Sequence, residues 1–145
     1  MSLFGKIDDN DHRRWQARNL RAVTALVQFG VKHKLTPLSW RLPTIGTVTG
    51  VVDVFGDHHP REVFEAWYTA LDKQRRVSPR PTGINRDGAA RRERTDSLGQ
   101  TKMLASFELE IAQRSERCEF VIIAEWFEDD ITARLARKAA EVASA

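Results

Sequence analysis

The chain has 145 residues, 41% hydrophobic and 30% charged, which suits one globular α+β domain spanning residues 1–145 and is too apolar for a disordered chain. No apolar run approaches the roughly 20 residues that cross a bilayer, the acidic N-terminal stretch is not a signal peptide, and the single cysteine, Cys118, excludes an internal disulfide, so a reducing cytoplasm is the expected setting. The net charge is only +3, but it is unevenly spread: eight bases and two acids lie between Lys73 and Arg94, and eight acids and two bases between Glu108 and Asp130.

The first element is a helix. Asp8 to Asp11 offer N-caps. Trp15, Leu20, Val23, Leu26, Val27, Val31 and Leu35 then recur at mostly three- and four-residue steps, as one apolar face would. Gly30 weakens the last turns and Pro37 ends them. Residues 38–42 and 47–55 flank a turn and are β-branched and aromatic, which predicts a hairpin. Gly50 within it marks a bulge or a close backbone approach. Asp57, or His59 ahead of Pro60, opens a second helix whose stripe is Val63, Phe64, Trp67, Ala70 and Leu71.

Residues 76–99 are rich in arginine, proline and glycine and read as a long basic loop, a kind that is usually functional or disordered. Residues 100–112 alternate cleanly, with Met103, Ala105, Phe107, Leu109 and Ile111 on one face. After a polar turn, Cys118 to Phe127 repeats the pattern with Phe120, Ile122, Ala124 and Trp126. A final helix follows from about Ile131 to Val142, and its acidic start suits the helix dipole. The expected order is α-ββ-α-ββ-α, with a four-stranded antiparallel sheet carrying its helices on one face.

No catalytic, cofactor or metal motif stands out. His58 and His59, near Asp53 and Asp57, are adjacent in sequence, which rarely lets both reach one ion, and no spaced Cys/His set completes a site. Glu125, Glu128, Asp129 and Asp130 read as a strand end and an acidic first helical turn. There is no phosphate-binding glycine loop. Trp40, Trp67 and Trp126 fall on apolar faces as core, and Trp15 is also read as core.

Two resemblances bear on the fold. Val48 to Gly56 reads V-T-G-V-V-D-V-F-G and loosely resembles the LAGLIDADG homing-endonuclease signature. The position of that family's metal-binding acid is Phe55 here, so no nuclease site follows. Pro37-Leu38-Ser39-Trp40, Gly50-Val51-Val52 and Phe64-Glu65-Ala66-Trp67 with Leu71 resemble small actinobacterial α+β proteins of unknown function, over about residues 20–72. That resemblance implies a fold and transfers no activity.

Both expected hairpins carry apolar residues on a second face: Val51 and Phe55 in one, Leu104, Val121, Ile123 and Phe127 in the other. One helical layer cannot cover two sheet faces, so the first functional expectation is a non-catalytic interaction module that self-associates through its sheet. The alternative is nucleic-acid binding, with Arg13, Arg14 and Arg18 of the first helix joining Arg75, Arg76, Arg80, Arg86, Arg91, Arg92 and Arg94 of the basic loop. An enzyme built on the carboxylates and histidines is the third class. It would need those groups gathered in one pocket.

Overall fold

In the computed structural model, which describes residues 7–43, 46–53, 58–80, 91–111 and 116–144, the chain runs α1 (Asp9–Lys32), β1 (Ser39–Arg41), β2 (Val48–Val52), α2 (Pro60–Asp72), β3 (Val77–Arg80), β4 (Arg91–Thr95), β5 (Gln100–Ile111), β6 (Glu116–Phe127) and α3 (Glu128–Ser144). This corrects the expected four-stranded antiparallel α-ββ-α-ββ-α plan. The sheet has six strands in the order β1-β2-β6-β5-β3, with β4 also on β5, and β2 lies parallel to β6.

Both additional strands come from the stretch read as a loop. β3 pairs with the C-terminal part of β5, from Val77 opposite Leu109 to Arg80 opposite Ser106. β4 pairs with its N-terminal part, from Arg91 opposite Ala105 to Thr95 opposite Thr101. Edge strands tolerate proline and charged side chains, so Pro79 and the arginines do not prevent extended pairing. Residues 81–90, including Arg86, lie outside the described residues, as do Phe55 and Asp57.

β1 and β2, and β5 and β6, pair antiparallel. β6 is flanked by β2 on one side and β5 on the other. Its two apolar rows suit a central strand. One row, Cys118, Phe120, Ile122, Ala124 and Trp126, is buried together with Met103, Ala105, Phe107 and Leu109 of β5 and Val48 and Val52 of β2. Ala22 and Leu26 of α1 and Val63, Phe64, Trp67 and Leu71 of α2 complete this core, so both helices cover the same sheet face.

The apolar stripe expected on α1 is divided. Leu26 is buried and Val23 and Phe29 pack at the core margin, but Leu20, Val27 and Val31 are 54%, 45% and 76% exposed. At 100° per residue these three lie on the far side of the helix from Ala22 and Leu26. Trp15 is half-buried beside His12, not in the core. The helix starts on a reciprocal cap: Asp8 accepts from the backbone N–H of Asp11, and the Asp11 carboxylate accepts from that of Asp8. His59 caps α2, its Nδ1 accepting the Arg61 N–H at 3.0 Å, with Pro60 in the first turn.

Trp67 locks the helices together. It is 1% exposed, and its indole N–H donates to the Thr36 carbonyl at 2.8 Å. Its ring lies so close to Gly30 that a Cβ there would sit 2.8 Å from it. Gly50 plays the same part in the sheet, where a Cβ would come within 2.8 Å of the Trp40 ring. Asn19, fully buried, joins α1 to the strands by donating to the Pro43 carbonyl and accepting from the Cys118 thiol. No helix of the described residues is long and apolar enough to cross a membrane.

The Gly30 contact sets two effects against each other. In an open helix, glycine to alanine would stabilise by about 1 kcal/mol. Here we expect Gly30→Ala to destabilise by about 1–3 kcal/mol, because the methyl group overpacks against Trp67. Urea denaturation of the two proteins measures the sign.

Candidate functional site

Among the described residues, no helix covers the second face of the sheet. Direct cross-strand partners point to the same side, so Ser39, Val51, Ile123, Leu104 and Arg92 form one row running from β1 to β4. Arg41, Thr49, Val121, Ser106 and Arg80 form the adjoining row. No described strand residue of this face is buried; each is half-buried or exposed. Val51, Ile123, Leu104 and Val121 thus make a contiguous apolar centre, and Phe127 lies farther along the same face at 41% exposure. Of the residues proposed for self-association, only Phe55 falls outside the described part.

Charge frames that centre. Arg80 and Arg117 both pair with Glu108 at one end, and Lys102 pairs with Glu125 at 3.2 Å at the other. Ser39 hydrogen-bonds Asp53 beside them. Arg41, Arg92 and Arg94 stand exposed on the β1 and β4 sides.

The arginines expected to form one nucleic-acid surface are dispersed. Arg13 donates to Asn10, and Arg14 pairs with Asp11. Arg18 lines a cleft with Trp15, Arg117 and Glu119, and its Nε is buried without a partner. Arg75 and Arg76 lie where α2 leads into β3. Arg91 turns to the helical face, where it pairs with Glu65 of α2 and stacks 4.8 Å from the Tyr68 ring. Arg92 and Arg94 project to the opposite face, because successive strand residues alternate.

A cluster at the α2 N-terminus was invisible in the sequence, because its members are far apart along the chain. The Trp126 indole N–H donates to Glu128 at 2.6 Å, and His59 Nε2 lies 3.2 Å from the same carboxylate. The His59 ring packs edge-on against Trp126. Arg61 lies over that indole ring and pairs with Glu93 of β4. The Trp126 hydrogen bond, then His59, holds Glu128 below the usual carboxylate range, and Arg61 does the same for Glu93. These side chains clamp α2, β4 and the start of α3 together. Among the described residues, no group of three His, Cys, Asp or Glu side chains is placed to hold a metal ion. Cys118 is buried, and that burial pushes its thiol pKa up.

No protein-family model, curated protein or solved structure matches the chain.

Glu93 and Glu128 are both more acidic in the folded chain than their ordinary value of 4.5. Each therefore adds stability above that pH, and the contribution is lost as the pH falls through the lowered value. Both carboxylates are largely exposed, so solvent screening keeps the effect small. The double variant Glu93→Gln, Glu128→Gln should be less stable near neutral pH and lose less on acidification. Thermal unfolding followed from about pH 7 down to about pH 2 reads this difference.

Proposed function

We propose that this protein is a non-catalytic, cytoplasmic interaction module that self-associates through the uncovered face of its sheet. The observation that carries the reading is the in-register row Val51, Ile123 and Leu104, flanked by Val121, on a face that neither α1 nor α2 covers. Five strand positions across and 12 residues along β5 and β6 give a face of about 20 by about 40 Å. That is up to roughly 800 Å² on each copy, the size that a stable pair of proteins buries per partner. A two-fold pairing of two such faces would bury the apolar centre as a sheet-on-sheet layer.

The geometry favours this reading over nucleic-acid binding. The arginines that a phosphate backbone would need together are divided between two sheet faces and α1, and Arg14, Arg80 and Arg91 are already paired with acids. The likeness to small actinobacterial proteins is compatible with either reading and supplies no activity.

Sedimentation velocity at micromolar concentration tests the proposal. The expected result is a dimer that Ile123→Arg, and separately Leu104→Lys, converts to a folded monomer. A wild-type monomer at that concentration overturns it, as does a dimer that neither substitution disturbs.

A further inference from the structure

The helical side of the molecule holds a cavity of about 760 Å³ between α1, the end of α2 and the last residues of β5. Its size falls within the range of sites for small organic ligands, roughly 300–1,000 Å³. Leu26, Phe29, Leu71, Val77, Leu109 and Ile111 supply an apolar lining. Leu26 and Leu71 are 1% and 0% exposed and form the closed floor beneath it, so the apolar surface open to a ligand comes from Leu20, Ala25, Phe29 and Ile111.

Arg21, Arg75 and Arg76 add three cations to this lining. Arg21 is neutralised by a two-pronged pair with Glu116, its Nε donating to Oε2 at 3.2 Å and its Nη2 to Oε1 at 2.9 Å. Arg75 and Arg76 are exposed and make no ion pair with any described acid. Glu110 is the one acid among the described residues of the lining. By strand alternation its side chain belongs with Glu108 on the opposite sheet face, while its backbone N–H donates to the Arg76 carbonyl at 2.8 Å and holds that segment at the cavity. The site is thus an apolar recess with two guanidinium groups on its solvent side that pair with no described acid. That arrangement suits a molecule with an apolar body and one anionic head, which arginine recognises with charge-assisted hydrogen bonds.

We infer that this cavity binds a small anionic amphiphile, with its apolar chain against Leu20, Phe29 and Ile111 and its carboxylate or phosphate head at Arg75 and Arg76. The site lies on the helical side of the sheet, so it is independent of the self-association proposed above.

Isothermal titration with monomeric decanoate, below its micelle-forming concentration, tests the inference on the full chain. The expected result is saturable binding of one decanoate per chain, with decanol at least about tenfold weaker. Arg75→Ala with Arg76→Ala should weaken decanoate by about tenfold, the loss of one good charge-assisted contact, and leave decanol unchanged. Both arginines are exposed, so this variant keeps the fold, and circular dichroism verifies it. Ala25→Phe, which fills the recess, should weaken both ligands. Absence of decanoate binding up to millimolar concentration overturns the inference, as does equal affinity for decanoate in the wild type and the double arginine variant. Co-sedimentation with phosphatidylglycerol vesicles without binding of monomeric decanoate also overturns it, because the arginines would then be reading a bilayer surface.

Discussion

The fold depends on β6 being a strand with a partner on each edge. Its backbone must find hydrogen bonds on both sides, because unpaired N–H and C=O groups inside a sheet are costly. β5 supplies one side over 12 residue pairs and β2 the other over five. With β6 fixed between them, the β1–β2 hairpin can lie only on one flank, and β3 and β4 only on the far side of β5. The parallel β2–β6 pair is possible because the chain leaves β2, passes through α2 over the sheet face, and returns through β3, β4 and β5 before entering β6.

The two sides of that sheet are finished differently. On the helical side, Trp67 fits against Gly30, Trp40 against Gly50, and Asn19 bonds to Pro43 and Cys118. Packing of this kind leaves no room for an additional methyl group. On the other side the apolar centre stays at the surface, ringed by charges of both signs. The basic and acidic blocks of the sequence meet within one molecule at Arg80 and Glu108. Arg91 of the basic block pairs instead with Glu65 of α2, and Glu93 within that block pairs with Arg61 of α2. The mild net charge therefore hides a surface on which Arg21, Arg61, Arg80, Arg91 and Arg117 tie separate elements together, while Arg41, Arg92 and Arg94 stay exposed.

The uncovered face and the cavity beside Arg75 and Arg76 present different chemistry. The first is broad and apolar at its centre, as the proposed protein partner requires. The second is concave and carries Arg75 and Arg76, which pair with no described acid, on its solvent side, as the proposed anionic ligand requires. The sheet separates them, so neither proposed site blocks the other.

The amino-acid sequence by itself determined what short-range rules govern. The alternation of Met103, Ala105, Phe107 and Leu109 and of Phe120, Ile122 and Ala124 defined two long strands, and Val63, Phe64, Trp67 and Leu71 defined the inner face of α2. The apolar second rows, Val51, Leu104, Val121 and Ile123, were also legible, since a two-residue period places them without knowledge of any partner strand. Tertiary structure alone decided which strands are neighbours. Arg91–Thr95 is extended only because β5 offers it an open edge, and the parallel direction of β2 against β6 depends on residues about 70 positions apart. It also decided which side of α1 is buried: Leu20, Val27 and Val31 satisfy a helical period as well as Leu26 does, and only the position of the sheet distinguishes them. The cluster of His59, Arg61, Glu93, Trp126 and Glu128 and the cavity at Arg75 and Arg76 are made of residues from separate elements. No local pattern encodes them, because their proximity exists only after the chain has folded.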